Sequence, residues 1–533
     1  MFPARLLPLA AALTLATALL PFTLAANSPW GWAGYTVIAA LAVLGLHDVS
    51  QTKHTILRNF PILGHVRYLF ESVRPELRQY FFEDELDGRP FHREQRALVY
   101  QRAKGETDYD PFGSELDVRE VGYEWIGHSV APRHLDGPPP RARIGGPRCT
   151  APYDASLLNV SAMSFGSLGP SAVLALGKGA RKAGYAQNTG EGGVARFHLE
   201  TGADLIWQLG TGYFGARAAD GTFDADSFRE RAAHDSVRMI ELKLSQGAKP
   251  GHGGILPGHK VTAEIASARG VAIGEACLSP PGHSAFSTPD ELVAFVDRLR
   301  ELSGGKPVGV KLCVGLPHEL VALVKAMHAA GSGPDFIAVD GGEGGTGAAP
   351  PEFSDHVGMP LEEALVLARN ALVGAGIKER VALVAAGKVT SAMDMLRLFA
   401  LGADATYSAR AFMMSVGCIQ AQLCHTNACP AGVATQDPGL NRGLDPEDKG
   451  ARAARFHDDT LATLMELTGA LGLEDPRHVT PERVFRRVSV DETRSLAEIH
   501  RFENDGALLE GDARPGLLEL WRRARTDTWS PSA

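Results

Sequence analysis

Three closely spaced cysteines are the residues of this chain whose types and spacing point most directly to chemistry. Cys418, Cys424 and Cys429 follow the pattern C-x5-C-x4-C, and Pro430 comes directly after the last of them. Three thiolates this close together can bind an iron–sulfur cluster, and a Cys-Pro pair is a frequent companion of such sites. A site with three cysteines suits a [3Fe–4S] cluster, which needs one ligand fewer than the cubane form. The spacing therefore predicts a protein that transfers electrons.

Two other interpretations of these cysteines stay open at this point. Cysteine is often a small buried apolar residue with no chemical role. Zinc is an alternative metal for this site, although zinc sites usually have four protein ligands at C-x2-4-C spacing. The other cysteines, Cys149, Cys277 and Cys313, are scattered along the chain. They do not form a disulfide framework, and a cluster site needs reduced thiols, so both observations favour the cytoplasm.

Positively charged side chains form the second chemical group. Lys243 and Lys311 each end a predicted strand and are expected to point into one cavity. A buried lysine is costly unless it pairs with an anion or a polar ligand. A flavin suits them, because its reduced form carries negative charge that a cation stabilises. For either lysine alone, a solvated surface position is the simpler interpretation. In α/β barrels the phosphate of such a cofactor usually binds at the loops after the seventh and eighth strands. The residues at the ends of the seventh and eighth strands predicted below are Gly387, Lys388, Ser408 and Arg410.

The segment from Lys243 to Gly254 is dense in polar residues and glycine. Gln246, Lys249 and His252 in this segment could bind a carboxylate group of a substrate. We therefore predict Lys243, Gln246 and Lys249 as catalytic residues. The alternative is a tight polar loop that binds no ligand.

Short apolar strands alternate with helical stretches from about Leu157 onward, and these elements must position the residues above. The predicted strands are 157–163, 185–189, 204–209, 237–243, 307–314, 336–340, 381–386 and 405–408. The predicted helices between them include 289–302, 317–330, 361–373 and 391–401. This order predicts an α/β fold, a (β/α)8 TIM barrel whose site lies at the C-terminal ends of the strands. A doubly wound sheet is the alternative, but no Gly-x-Gly-x-x-Gly follows the first strand.

Two apolar runs, Leu6 to Ala26 and Trp30 to Leu46, begin the sequence. Each is roughly long enough to cross the hydrocarbon layer, which needs about 20 residues. A signal peptide is the alternative for the first run. Against it, the second run follows at once, and Trp30 and Trp32 lie between the two like interfacial aromatic residues. Basic residues follow the second run and none lies in the turn, which favours both ends in the cytoplasm.

The sequence therefore predicts a two-helix transmembrane hairpin in the inner (cytoplasmic) membrane, with the catalytic domain facing the cytoplasm. We predict four regions: the anchor at 1–50, a connecting region at 51–150, the barrel with its cysteine motif at 151–440, and a helical C-terminal extension at 441–533. The chain of 533 residues is 44% hydrophobic and 22% charged, which allows a large core. The chain has a net charge of −9 and contains no basic stretch, so we expect no nucleic-acid partner.

Several stretches in combination resemble the FMN-binding synthase domain of glutamate synthase. They are Ser161–Ser167, Asn188–Gly193, Met239–Gly254, Leu278–Pro281, Gly344–Pro350 and Gly417–Gln436. Together they cover about 150–440, and the combination is far more specific than any one glycine loop. With its apolar hairpin and the segment His54–Phe60, the chain looks most like the membrane-anchored, stand-alone members of the FMN-binding glutamate synthase family.

The resemblance implies FMN in a TIM barrel, beside a [3Fe–4S] cluster held by the three cysteines. It implies that 2-oxoglutarate condenses with ammonia or an amine donor, and that reduced FMN delivers a hydride to the imino carbon to give L-glutamate. Electrons would arrive singly through the cluster, from ferredoxin or a partner subunit, and leave the flavin in pairs. The residues predicted to bind the cofactor are Ala162, Met163, Ser164, Gln187, Lys243, Lys311, Gly341, Gly342, Gly387, Lys388, Ser408 and Arg410.

The sequence departs from full glutamate synthases at several points. Those proteins begin with a glutaminase domain whose N-terminal cysteine is the nucleophile, whereas no cysteine precedes Cys149 here. Ammonia would then come from a separate glutaminase partner, from solution, or not at all. The family's His-Asp pair is replaced by Gly342 and Glu343, and its Asp-Gly-Gly reads Ala386-Gly387-Lys388. Two other functions stay open: an oxidoreductase for a different oxo acid or amine, and a membrane-attached electron-transfer subunit.

Overall fold

The structure is a computed structural model that describes residues 4–109 and 111–532. The chain divides into two compact units, one ending at Glu94 and the other beginning at Gln95. This division falls inside the connecting region predicted at 51–150.

The first unit is helical over most of its described part. Its helices are Ala4–Leu6, Leu7–Ala26, Pro29–Ser50, Thr55–Asn59, Gly64–Leu77 and the π-helical turn Arg78–Phe82. Two segments, Ala4–Ala26 and Pro29–Ser50, are long and apolar enough to cross a membrane by length and composition. Asn27 ends the first of them in the left-handed conformation, at φ 41°, and its N–H donates to the carbonyl of Thr23. The chain can therefore reverse within a few residues.

Eight parallel strands close into a barrel in the second unit. They are β1 (Leu158–Val160), β2 (Gln187–Asn188), β3 (Leu205–Leu209), β4 (Val237–Lys243), β5 (Val308–Leu312), β6 (Phe336–Asp340), β7 (Ala382–Ala386) and β8 (Ala405–Ser408). Each strand pairs with the next one along the chain, and β8 pairs with β1. The predicted (β/α)8 barrel is confirmed, and each predicted strand contains the observed one. A doubly wound sheet would have left two unpaired edges, which closure removes.

Helices pack outside the barrel because each carries one apolar face. In Pro289–Leu302 the buried residues include Leu292, Val296 and Leu299, and the Thr288 hydroxyl accepts a hydrogen bond from the Glu291 N–H to cap the first turn. The main helices of this layer are Pro170–Ala183, Ala225–Ala232, Pro289–Leu302, Pro317–Ala330, Leu361–Gly374, Ala392–Ala400 and Arg410–Ser415. The four helices predicted from the sequence are among them. The helix Ala263–Arg269 instead contacts the turn Gly190–Gly192 that follows β2.

The C-terminal region is built on the helix Pro446–Ala470, which packs against Pro170–Ala183. A Cβ atom at Gly179 would lie 2.9 Å from the carbonyl oxygen of Gly450, so only glycine allows this close approach. The predicted helical appendage is confirmed, but it also contains strands Val484–Arg487 and Thr493–Ser495. These strands form an antiparallel sheet with Glu124–Ile126, which lies more than 350 residues earlier in the chain.

The remaining elements are short and lie between the barrel elements or at the ends of the second unit. The strand pairs are Ala142–Ile144 with Tyr153–Ala155, and Ile255–Leu256 with Cys277–Leu278. The short helices are Gly190–Gly192, Arg196–Leu199, Gly258–Lys260, Pro351–His356, Lys378–Arg380, Pro438–Asn441, Pro476–His478, Pro481–Arg483, Leu496–Ile499, Ala507–Glu510 and Pro515–Arg523. A longer helix, Arg93–Lys104, contains the boundary between the two units.

Candidate active site

Two lysines lie side by side at the C-terminal ends of β4 and β5. Lys243 and Lys311 are register partners on these neighbouring parallel strands. Register partners present their side chains to the same face of a sheet, so both amines point into the mouth of the barrel. Two like charges on adjacent strands repel each other, so this arrangement is stable only where nearby anions compensate the repulsion.

A carboxylate compensates each lysine. The Lys243 Nζ lies 3.2 Å from the Glu191 carboxylate and donates to the Gln246 side-chain oxygen at 2.5 Å. The Lys311 Nζ lies 3.4 Å from the Asp340 carboxylate and equally far from the Ser161 hydroxyl. Both Lys311 contacts are long for hydrogen bonds, and the side chain is only 5% exposed. Lys311 therefore retains the capacity to bind a closer acceptor.

Further cations surround Glu191. Burial works to raise the pKa of this carboxyl, but Lys243, Lys249 and Arg269 together hold the pKa below its ordinary value. Burial, with Lys243 alongside, lowers the pKa of Lys249. The Arg269 guanidinium is buried, donates to the Phe165 carbonyl at 3.3 Å, and lies over the ring of Phe214. The site thus has more cationic than anionic groups around an ionised Glu191, which suits a ligand with carboxylates.

The loop that carries Gln246 and Lys249 lies in direct backbone contact with the loop after β6. The Gly247 N–H donates to the Asp340 carboxylate at 2.9 Å, and the Ala248 N–H donates to the Gly342 carbonyl at 3.0 Å. A Cβ atom at Gly247 would lie 1.9 Å from the Gly341 carbonyl oxygen. Glycine at position 247 is therefore required for the two loops to meet.

A carboxyl group inside the barrel supports the site from below. Glu241 is fully buried, and its Oε1 accepts hydrogen bonds from the side-chain amides of Asn188 at 2.8 Å and Gln208 at 2.6 Å. Burial raises the pKa of Glu241. Asn188 in turn accepts a hydrogen bond from the Gly190 N–H at 3.0 Å, which orients the turn that carries Glu191. This network connects the barrel interior to the cationic mouth.

A neutral histidine holds the end of β4. Burial lowers the pKa of His283 to about 4. Its Nε2 lies 2.8 Å from the Lys243 carbonyl, and its Nδ1 lies 3.0 Å from the Tyr213 hydroxyl. A carbonyl only accepts, so Nε2 carries the proton and the Tyr213 hydroxyl donates to Nδ1. His283 therefore fixes the backbone of Lys243 without adding charge.

The residues predicted to bind a phosphate follow β7 and β8. Lys388 has a left-handed backbone, at φ 47°, directly after Gly387. The Ser408 hydroxyl donates to the Val389 carbonyl at 2.7 Å, so it can donate to a phosphate oxygen only by turning away from that carbonyl. Burial lowers the pKa of Arg410 to about 10, although Asp340 and Glu343 counteract this effect. These residues lie on the same barrel face as the strand-end lysines, as their positions after β7 and β8 require.

The loop after β1 contains the predicted residues Ala162, Met163 and Ser164, each of which is partly exposed. Ser164 donates from its hydroxyl to the Ser167 hydroxyl at 3.0 Å. Gly190, at φ 62°, allows the neighbouring turn to contact this loop, because a Cβ atom there would lie 2.5 Å from the Ser164 nitrogen. The structure thus brings the loop after β1 against the turn that holds Glu191.

Two predicted residues have side chains directed elsewhere. The Gln187 amide donates to the Val173 carbonyl at 3.3 Å, so this side chain contacts the helix Pro170–Ala183 outside the barrel. Its neighbour Asn188 is the one that points inward. The His252 ring, suggested for a substrate carboxylate, lies 2.9 Å from the Gly253 carbonyl and is exposed. Gly341 and Gly342 contribute only backbone, and they contact the Gly247 loop described above.

The three motif cysteines lie close enough to influence one another. Burial raises the pKa of Cys418 to about 11, and the neighbouring Cys424 and Cys429 add to this effect. Between these cysteines the backbone of Gln420, Gln422 and Asn427 is left-handed, at φ 57°, 56° and 65°. Such strained backbone at non-glycine residues is concentrated at functional sites. Within residues 4–109 and 111–532, however, no three Cys, His, Asp or Glu side chains are assembled at metal-ligand spacing.

Sequence reasoning missed several residues that the structure brings into the mouth. Glu191 lies in the polar loop after β2, and Asp340 is the last residue of β6, so the signal was an acidic residue next to glycine at or after the end of a strand. Glu241, two residues before Lys243, shares its inward face by strand alternation. Arg269 had no such signal, because it lies at the end of the helix Ala263–Arg269 rather than after a strand.

Fold and site together define a parallel α/β-barrel protein with a cationic mouth suited to anionic ligands. Residues 153–474 match the protein family described as a conserved region in glutamate synthase. The glutamate synthase large subunit-like protein YerD of Bacillus subtilis is 38% identical over 490 residues, 84% of this chain and 93% of YerD. The chain therefore belongs to the glutamate synthase family, a family of oxidoreductases that act on CH–NH2 donors.

Two further proteins are more distantly similar to this chain. An archaeal-type glutamate synthase (NADPH) of Thermotoga maritima is 36% identical over 334 residues, 62% of this chain and 62% of that protein. This chain thus spans less than two thirds of that relative. Among solved structures, a mutant flavocytochrome b2 with pyruvate bound aligns over 78% of this chain and 85% of its own, at 13% identity and a TM-score of 0.40.

Proposed function

We propose that the protein makes L-glutamate by reductive amination of 2-oxoglutarate, using FMN that receives electrons through an iron–sulfur cluster. One observation carries the proposal: the paired strand-end lysines Lys243 and Lys311 lie in register, with Lys249 and Arg269 grouped around an ionised Glu191. The membership of the chain in the glutamate synthase family supports the same reaction.

The residues of the mouth fit FMN. Lys311 is buried and has only two long contacts of 3.4 Å, so it can donate to an anionic ring oxygen. Arg410, with the backbone N–H groups at Gly387 and Lys388, would supply donors for a phosphate after β7 and β8, and the Ser408 hydroxyl would add one by turning away from the Val389 carbonyl. Bound there, FMN would supply a hydride to the substrate carbon. Lys311 would hold the ring and compensate its negative charge.

The remaining cations suit the substrate. 2-Oxoglutarate has two carboxylates, and Lys249 and Arg269 are cations that already lie near the Glu191 carboxylate. Glu191 stays ionised in this environment, so it can accept hydrogen bonds from an ammonium or iminium nitrogen. Gln246, held by Lys243, adds an amide to orient the oxo acid. This division of labour places carboxylate binding and nitrogen binding on different residues.

We propose Cys418, Cys424 and Cys429 as the ligands of a [3Fe–4S] cluster. The thiols influence one another electrostatically, and the Lys260 amine lies near Cys424 and contacts the His425 carbonyl at 3.4 Å. Three cysteine thiolates are the donors that such a cluster needs. Iron and sulfide analysis of the purified protein tests this assignment.

The partners follow from the same proposal. Ferredoxin or a partner subunit would supply single electrons. The archaeal-type relative is named as an NADPH enzyme. Ammonia would come from solution or from a separate glutaminase. We also propose that the two apolar helices anchor the protein in the inner membrane, with the barrel on the cytoplasmic side. Their length and composition support the anchor, and the basic residues that follow the second helix support this orientation.

The test is anaerobic turnover of the full-length protein in detergent. The flavin is reduced with reduced ferredoxin or dithionite, and its reoxidation is followed after 2-oxoglutarate and ammonium are added together or singly. We expect reoxidation that requires both substrates and yields glutamate. The variant Lys249→Met should raise KM for 2-oxoglutarate, whereas Lys306→Met, at the opposite end of β5, should not. Flavin that loads normally but ignores the substrate pair would contradict the proposal and favour another oxo acid or an electron-transfer role.

A further inference from the structure

The first unit carries an amphipathic helix whose apolar face is uncovered. The helix Gly64–Leu77 continues into the π-helical turn Arg78–Phe82. Phe70 is 62% exposed and Phe81 is 75% exposed. The exposed large apolar residues of this segment are Val66, Leu69, Phe70, Val73, Leu77, Tyr80, Phe81 and Phe82.

These residues share one side of the helix. From Val66 to Leu77 they recur three or four positions apart, which is the spacing of a single helical stripe. Glu71, Ser72 and Glu76 fall outside this stripe. A soluble protein normally buries such a face, because large exposed apolar patches bind a partner or a membrane. Within the described part of the first unit, residues 4–94, no element covers it.

Arginines follow one edge of the apolar stripe. Arg67, Arg74 and Arg78 lie on adjoining positions of the helix surface. Arg67 pairs with Glu71 at 2.8 Å, whereas no carboxylate of the described residues forms an ion pair with Arg74 or Arg78. Long basic side chains at the edge of an apolar face can extend to lipid phosphates while the face itself enters the acyl region.

A buried carboxylate fixes this helix to the end of the second apolar helix. Asp48 is fully buried near the end of Pro29–Ser50. Its carboxylate accepts a hydrogen bond from the Ile62 N–H at 2.9 Å and contacts His65 Nε2 at 2.9 Å. The start of the amphipathic helix therefore lies where the proposed membrane-spanning helix ends.

We propose that residues 64–82 bind the surface of the membrane leaflet on the barrel side, with the apolar stripe among the acyl chains and the arginines on anionic phosphates. The inference rests on the proposed membrane hairpin and goes beyond it. The occupant is a lipid surface rather than a second protein, because the helix begins at the end of the hairpin and its arginines complement anionic headgroups.

The test uses site-specific photo-crosslinking in the full-length chain. p-Benzoylphenylalanine replaces Phe70 or Phe81 on the stripe, Ser72 on the opposite side, or Leu15 in the first apolar helix. Each protein is reconstituted in nanodiscs of phosphatidylcholine with phosphatidylglycerol, irradiated, and analysed by mass spectrometry. We expect phospholipid adducts from positions 15, 70 and 81, with far fewer from position 72.

The outcomes separate the two proposals. Lipid adducts at position 15 but not at 70 and 81 would overturn the surface-helix proposal and leave the anchor intact. Absence of adducts at position 15 would contradict the anchor itself, and with it the proposal for the helix. Crosslinked dimers from 70 and 81 in place of lipid adducts would show that the stripe joins two copies of the chain, which also overturns the proposal.

The arginines provide a second, independent readout. The double variant Arg74→Gln/Arg78→Gln retains the apolar stripe and the Asp48 contacts. Each arginine near an anionic surface is expected to favour the bound state by about fivefold. Adduct yield at position 70 should therefore depend on phosphatidylglycerol in the parent protein and lose that dependence in the double variant. The same dependence in both proteins would contradict a role for these arginines.

Discussion

The contact between the Gly247 loop and the loop after β6 gives the sharpest prediction. Gly247→Ala would place a Cβ atom 1.9 Å from the Gly341 carbonyl oxygen, where real Cβ atoms keep at least 3.0 Å. The loops must therefore separate by about 1 Å. That movement strains the hydrogen bonds from Gly247 to Asp340 and from Ala248 to Gly342. Displacements of this size near a reacting centre cost about 100-fold in rate.

We expect kcat/KM for 2-oxoglutarate to fall by about 100-fold in Gly247→Ala, because Gln246 and Lys249 move with the loop. Flavin content and Tm should change far less, since the contact lies above the barrel core. The assay is the anaerobic reoxidation of reduced flavin described above. Gly315→Ala is the matched control, because no atom lies within 4 Å of the added Cβ. Equal kcat/KM for the two variants would refute the reasoning that this backbone contact positions the substrate residues.

Three further predictions concern charge and cofactors. The pKa of Glu191 is held below its ordinary value of 4.5. Its pairing therefore stabilises the fold above that pH, and this stabilisation is lost as the pH falls through the lowered pKa. The Tm difference between the parent protein and Glu191→Gln should shrink below pH 4.5, and a constant difference would contradict this. Lys311→Met should weaken FMN retention by about 10- to 100-fold through the loss of a charged hydrogen bond, measured by flavin release on dilution, whereas Lys306→Met should retain it. Cys424→Ser should lower iron and sulfide content and abolish the cluster's EPR signal, and Cys149→Ser should not; unchanged iron in Cys424→Ser would exclude that thiol as a ligand.

The barrel strands could be predicted because their signals are local. Each is a short apolar run that ends in glycine and polar residues, and the helices between them repeat apolar residues at helical spacing. The strand Val237–Lys243 was predicted with its observed bounds. The short antiparallel sheet was not predicted, because its strands Glu124–Ile126 and Val484–Arg487 come from distant parts of the chain.

Side-chain direction was harder to predict where strands are short. Gln187 stays a predicted cofactor residue. The strand β2 contains only Gln187 and Asn188, and two residues show no alternation from which the inward side chain could be predicted. A shift of one residue reverses which side chain points inward. The pairing of Val160 with Gln187 decides the register, and it directs Asn188 to Glu241 instead.

The sequence by itself determined the order of the strands and helices, the polar character of the loops that follow them, the spacing of three cysteines, and the two long apolar helices. These features depend on residues a few positions apart, which any window of the chain displays. Only the tertiary structure decided that Lys243 and Lys311 are neighbours, that Glu191 and Arg269 join them, and that Gly247 contacts Gly341. Barrel closure brings together the ends of strands that are far apart in the chain, and the distances between those ends depend on the register of every strand pair around the ring.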